Sequence, residues 1–426
     1  MKAMKSGNGN IRSGEIAKIP DLWFTCGKSN ARIEITTQKE AIDLRTILSA
    51  ARTFFKEADL LLLALCLIAS VFGVIVISSA TAYLGSTRYV VVQCLAIVIG
   101  VAFYILLSLI DIDIVAERRE LLMIFNVLFI STLFLFGVEG NTGNRSWLSF
   151  SFLPFNIQPA EICKLTFILI LAKTLSVNRE RISSLASVGQ LVLFTGITVG
   201  LILAASSDAG VALVYVFLFV LMAFIGGVGI GWFLLGIGAI AAAAPLVWGM
   251  MREDQRQRIL MIFDASIDPN GTGVRYQTHL SQVYLSAGGL SGQGLHQGVQ
   301  TQSGVMPAQH TDFIFSVIGN ELGMVGCIFT LLILSIILIR CIYVGVKSGS
   351  YLNRLICIGI AGMLLFQILV NVGMCLGLFP VVGLTLPFIS YGGSSIVTTF
   401  AAVGIVSGIR MRPAPDNETR YIRPPK

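Results

Sequence analysis

The chain has 426 residues, of which 55% are hydrophobic and only 12% charged, about half the charge content of an ordinary soluble domain. That composition excludes a water-soluble globule and reads as an all-α polytopic membrane protein. The net charge of +7 comes without any basic motif interleaved with aromatics, so no nucleic-acid partner is expected; the basic tails instead suit anionic membrane lipids.

Residues 1–56 carry ten Lys and Arg, the sequence Gly7-Asn8-Gly9-Asn10, and no apolar core of signal-peptide length. They are expected to form a flexible cytoplasmic tail, with the first span as an uncleaved anchor. Ten apolar runs then follow, each long enough to cross about 30 Å of hydrocarbon: 60–80, 89–110, 121–138, 157–175, 188–205, 209–225, 230–251, 313–339, 355–378 and 388–408. They define a ten-helix membrane domain over 57–410, and 411–426 form a second tail. With the N-terminus inside, 23 of the 30 Lys and Arg fall in cytoplasmic segments and six, Arg88, Arg145, Arg252, Arg256, Arg258 and Arg275, in outer ones. The positive-inside rule therefore places both termini in the cytoplasm. None of the eight cysteines lies in an outer loop, where a disulfide persists; they read as small buried apolar residues.

The fourth span opens with "QPAEICK". Pro159 suits the first helical position, and Glu161 and Lys164, three apart, share a face. Ionisable groups inside a span are costly and each is a functional hypothesis. An ion pair at the membrane edge is the plainer account here, and a pair facing a polar cavity would also hold an anionic substrate. Asp208, in "SSDAG" between the fifth and sixth spans, reads as a helix N-cap. The alanine run 241–244 in the seventh span permits close helix packing.

Between the seventh and eighth spans lies a large extracytoplasmic loop, 252–312, which holds all three histidines of the chain, His279, His296 and His310, and six glycines between 288 and 304. Ile259, Ile262, Phe263, Tyr276, Leu280, Val283, Tyr284 and Leu285 recur at the spacing of short amphipathic helices. Isolated glycines mark close backbone approaches. The loop is therefore expected to be an ordered cover over an outer cavity rather than a disordered connector. It ends on Thr311-Asp312, where composition and spacing favour a helix cap. Glu321, nine residues on, faces another way and reads as a hydrogen-bonding residue between helices.

Five stretches taken together carry a resemblance: "NRSWLSFSFLPFNIQPAEICKL" at 144–165, "DPNGTGVRYQ" at 268–277, "AGGLSGQGL" at 287–295, "MPAQHTDFIFSVIGNELG" at 306–323 and "GLTLPFISYGGSS" at 383–395. In this order, over about residues 60–410, the chain resembles the SEDS family of FtsW, RodA and SpoVE. The resemblance implies ten spans with cytoplasmic termini and a peptidoglycan glycosyltransferase polymerising lipid II on the outer face of the cytoplasmic membrane. It implies a class B penicillin-binding protein, a transpeptidase, as partner, and a role in division, elongation or sporulation. The family's essential acid maps onto Asp312. Arg145, Trp147, Glu161, Lys164, Arg275, Gln277, His310, Thr311, Ser390 and Tyr391 are the implied substrate-binding residues. Three positions depart from the family pattern: Ser146 where an Arg is usual, Ser206-Ser207 for Gln-Pro, and Asn320 for the first of two glutamates.

Lipid II polymerisation makes a β bond from an α-linked pyrophosphate donor, so one in-line displacement with inversion suffices. It requires one base for the acceptor hydroxyl and, unlike glycoside hydrolysis, no acid for the leaving group. The departing pyrophosphate does require a cation. Asp312 is the expected base, its proton affinity raised by partial desolvation. The cation is one of Arg145, Lys164, Arg252, Arg256, Arg258 and Arg275, or a divalent Mg or Mn ion bridging Asp312 and pyrophosphate; the sequence does not choose. A lipid II flippase and a non-catalytic scaffold for the penicillin-binding protein are the alternatives. The outer position of the acid and of the glycine-rich loop favours polymerisation.

Overall fold

The computed structural model describes residues 54–412 except 140–143, 152, 252, 254–255, 258–259, 261–267, 269–272 and 274. The expectations for residues 1–53, the second tail beyond Arg412, Arg252, Arg258, Ile259, Ile262 and Phe263 lie outside the described residues. Among those described, regular structure is helical, and the isolated bridges Val138–Trp147 and Leu148–Ile157 are the strand-like pairing.

In chain order the helices are α1 (Leu60–Ala80), α2 (Arg88–Leu109), α3 (Ile112–Glu117), α4 (Arg119–Phe136), α5 (Pro159–Val177), α6 (Leu185–Ser206), α7 (Ala209–Ile225), α8 (Ile230–Met250), α9 (Tyr276–Gly288), α10 (Val299–Ser303), α11 (Ile314–Lys347), α12 (Tyr351–Leu376) and α13 (Gly393–Met411). Seven of them, α1, α2, α4, α6, α11, α12 and α13, are long and apolar enough to cross a membrane, so the chain is a multi-pass membrane protein. Of the other three long apolar stretches, α5 carries Glu161, Lys164 and Lys173, α7 has 17 residues, and α8 contains Pro245.

Three expectations from sequence are corrected. Residues 54–57 are already helical, with Phe54 buried against Tyr104, so the membrane domain begins before residue 57. The tenth span starts at Gly393 rather than 388: Phe388 sits at φ +65°, and the Ser390 hydroxyl accepts from the Leu386 amide, which closes a turn before the helix. The eighth is not one straight helix. It breaks at Gly323, with φ +65° and ψ −162°, and the 34-residue α11 then continues to Lys347.

The break anchors the glycine-rich loop. Amides of Gln293 and Gly294 donate to the carbonyls of Asn320 and Glu321 at 3.0 and 2.9 Å, and the Met324 amide donates to Gly289 at 3.0 Å. A Cβ on Gly292 would lie 2.1 Å from the Glu321 carbonyl oxygen, so only glycine admits this approach. From Tyr276 to Gly304 the described part of the loop is thus ordered, with α9 and α10 as its short helices and its glycine turns packed on α11. Glu321, buried, accepts from Ser79 Oγ at 2.6 Å and Gln302 Nε2 at 3.1 Å, joining α11 to α1 and the loop as expected. Asn320 is equally well satisfied: it donates to Tyr284 O and Gln300 Oε1 and accepts from Thr301 Oγ1.

At the other end of the bundle Asp59, fully buried, caps α1 through the Leu62 amide and binds Arg340 at 2.8 Å and Arg410 at 2.9 Å. α13 packs directly on α2, where a Cβ on Gly404 would lie 2.7 Å from Tyr104 Cα. Since the obstacle is backbone, Gly404→Val is expected to destabilise by about 3 kcal/mol, the upper end for overpacking, read as a lowered melting temperature in detergent.

Candidate functional site

Asp312 stands in a turn built by one carbonyl. Ala308, at φ +54°, accepts from the amides of Thr311, Asp312 and Phe313 at 3.1, 3.1 and 3.3 Å. The helix-capping expectation for Asp312 is therefore wrong: the N-cap of α11 is Phe313, and no side chain caps it. With the local amides already satisfied by Ala308, the Asp312 carboxylate is left for other work, with the Thr311 side chain as its hydrogen-bonding neighbour.

Two segments distant in sequence frame that turn. The irregular stretch after α12 folds back against it: the Ser390 hydroxyl donates to Thr311 O at 2.6 Å and the Tyr391 amide to His310 O at 2.9 Å. The His310 ring lies between Tyr89 and Tyr391, with centroids 4.8 and 5.5 Å away. Burial lowers its pKa and keeps the imidazole neutral. From the other side, the Asn371 amide donates to Asp312 O at 2.8 Å and to Leu384 O at 2.7 Å. Gly383 is beside the carboxylate; a Cβ there would sit 3.7 Å from Asp312 Oδ2.

Asp208 is the second carboxylate of the site. As expected it caps α7, its Oδ1 accepting from the Val211 amide at 3.0 Å. Its Oδ2 also takes Gln158 Nε2 at 3.4 Å. The helix it caps abuts the segment that borders Asp312, since a Cβ on Gly210 would lie 2.0 Å from Val382 O. Burial raises the Asp312 pKa to about 6, and the field of Asp208 adds to the rise. Asp208 is itself raised, by burial first, while Glu161 pushes it up and Lys164 holds it down. A line of charge thus runs from Asp312 through Asp208 to the ion pair of α5. That pair, Lys164 Nζ to Glu161 Oε1 at 2.6 Å, is buried at both ends, and Lys164 has no exposed surface.

The remaining sequence candidates make their contacts elsewhere. Arg145 is exposed and pairs with Glu139 at 3.1 Å. Together with Asn144, Leu133, Phe134 and residues 204–207 they line a cavity of ≈ 340 Å³, at the small end for a ligand site and next in sequence to Asp208. Trp147, half-buried, pairs its backbone with Val138 beside it. Arg275 and Gln277 lie at the start of α9, where the Arg275 amide donates to the Asp268 carboxylate at 3.0 Å. Arg256 is committed to the end of α8, donating to the carbonyls of Trp248 and Gly249. So the structure joins Asp312, Thr311, His310, Ser390 and Tyr391 in one network and does not bring Arg145 into it. Among the described residues no cluster of three or more His, Cys, Asp or Glu could hold a metal by itself.

Two of the departures also have a local account. Ser207 occupies φ +55°, which a proline ring cannot adopt, and Ser146 is buried with its hydroxyl against Asp208. Sequence reasoning passed over Asn371 and Gln158, and took Asp208 for a cap alone. The available signal was an amide inside an apolar span, and an acid at the junction of two spans.

Residues 59–414 match the FtsW/RodA/SpoVE family of cell cycle proteins. The chain is 35% identical to the peptidoglycan glycosyltransferase MrdB of Escherichia coli over 272 residues, 63% of this chain and 71% of that one. It is 31% identical to the stage V sporulation protein E of Bacillus subtilis over 359 residues, 82% and 96% of the two chains. A solved peptidoglycan synthase complex, in which polymerisation and crosslinking are coordinated, contains a chain of the same fold, with TM-score 0.70 and 31% identity over 83% of this chain and 97% of that one. The chain therefore belongs to the FtsW/RodA/SpoVE family of cell cycle proteins.

Proposed function

We propose that this glycosyltransferase polymerises lipid II into glycan strands on the outer face of the cytoplasmic membrane, with Asp312 as general base. The observation that carries the reading is the state of Asp312: a carboxylate freed from capping, held by its backbone, with its pKa raised to about 6. A base near the operating pH combines availability with driving force. In the inverting step Asp312 takes the proton of the acceptor's 4-hydroxyl as that oxygen attacks the anomeric carbon and the polyprenyl pyrophosphate departs.

Lys164, whose charge is felt at Asp208, is the proposed source of positive field for the charge developing on the pyrophosphate, with Arg145 as the proposed contact for a sugar or peptide. Trp147, Arg275, Gln277, His310, Thr311, Ser390 and Tyr391 are assigned to substrate binding around it. A divalent cation is the other candidate: Asp312 would be its hard oxygen ligand, with phosphate oxygens and water completing the shell, and it would supply the same neutralising charge. The polyprenyl chain needs an apolar path from the bilayer, and the exposed apolar side chains of α8, such as Leu234, Leu235, Ile237 and Ile240, support a path along that helix.

The ten long helices then form ten spans with the 252–312 loop outside and both termini in the cytoplasm, as the distribution of Lys and Arg favours. A class B penicillin-binding protein is the proposed partner, consistent with the synthase complex whose chain shares this fold. The test is to purify the full chain with that partner, supply lipid II and resolve glycan strands by gel. Strands are expected; movement of lipid II across vesicles without polymer would establish a flippase instead.

A further inference from the structure

We propose that Asn371 is the positioning residue for Asp312, setting where the carboxylate stands by binding the main-chain carbonyls of Asp312 and Leu384 with a single side-chain amide. This rests on the reading of Asp312 as base. Asn371 lies in α12 with no exposed surface, and its Nδ2 donates to Asp312 O at 2.8 Å and Leu384 O at 2.7 Å. A buried amide is costly unless its donors are used, and here both protons are placed. Neither carbonyl belongs to a helix, so neither has a ladder to fix it. The other ties to this turn act upstream of the base, on Thr311, His310 and Gln309. Asn371 reaches the peptide of the base itself, supported by the weaker Cys375 Sγ contact at 3.9 Å.

The second carbonyl matters as much as the first. Leu384 follows Gly383, the residue whose α-carbon faces Asp312 Oδ2. One amide thus fixes both the base and the wall opposite it. Proton transfer depends on hydrogen-bond reach, and a displacement of about 1 Å at such a site costs on the order of 10²-fold in rate. The loss should fall on turnover, because Asn371 is screened from substrate by the residues it holds.

The experiment uses the full chain copurified with its penicillin-binding protein. Initial polymerisation rates are measured across lipid II concentrations for wild type, Asn371→Asp, Asn371→Ala and Asp312→Asn, with a melting temperature for each. Asn371→Asp keeps the shape but can donate, when protonated, to only one carbonyl. It is expected to melt within a few degrees of wild type and to lose about 30–100-fold in kcat, with KM changed less than twofold. Unchanged kcat in both Asn371 variants would overturn the proposal, as would a loss expressed mainly in KM. Collapse of both variants' melting temperatures would also overturn it, marking Asn371 as a structural pin only. Wild-type activity in Asp312→Asn would instead refute the base assignment, whatever the Asn371 variants do.

Discussion

Asp312→Asn is expected to leave the protein folded in the membrane and to lower lipid II polymerisation by about 10²–10⁴-fold, the span of a general base. The fold should survive because the backbone of residue 312, and not its carboxylate, makes the structural bonds: its amide donates to Ala308 and its carbonyl accepts from Asn371. Asparagine keeps the shape and loses the proton acceptor. Melting temperature and yield should match wild type while strands disappear from the gel. Asp312→Glu, which keeps the acid but advances it by one methylene toward Gly383, should recover only part of the rate.

The second large effect concerns the buried pair. Lys164→Met leaves Glu161 as a carboxylate with almost no solvent, and breaking a buried pair by removing one partner costs about 3–5 kcal/mol. The double change Glu161→Gln with Lys164→Met removes both charges and should recover most of that stability, since apolar or neutral replacements of a whole buried pair are often tolerated. Polymerisation separates the two roles of the lysine. If Lys164 only balances Glu161, the double variant polymerises like wild type. If its charge also stabilises the departing pyrophosphate, the double variant remains about 10²-fold slower, which is the expected result. Melting curves and initial rates on the same three proteins provide the comparison.

Hydropathy and charge made the helical membrane architecture legible, because a span must satisfy every backbone group internally and so leaves a long apolar record. The close packing of residues 289–294 on α11 was legible from glycines such as Gly292, which only a close backbone approach requires. The ends of the helices were less so. The start of α13 was misplaced by five residues because "FISYGG" is apolar enough to pass for span, whereas the turn that Ser390 closes depends on contacts with Thr311 far away in sequence. The same limit hid the true setting of Asp312. Its position before an apolar run matches a cap, and nothing local reveals that the Ala308 carbonyl has already taken the amides. Asp208 was seen as a cap, correctly, but its field on Asp312 arises only when α7 and the 382–384 segment meet.

With the Asp312 carboxylate as base, polymerisation by the purified complex should depend on pH in a defined way. The base works only when ionised. Below about 6 the rate should therefore fall about tenfold per pH unit, and above it the rate should level off. Removing the neighbouring charge with Asp208→Asn lifts the repulsion that raises the Asp312 pKa, so the inflection should move to lower pH. A rate independent of pH between about 4.5 and 7.5, or an inflection that stays fixed or moves upward in Asp208→Asn, would rule out Asp312 as the base in this setting.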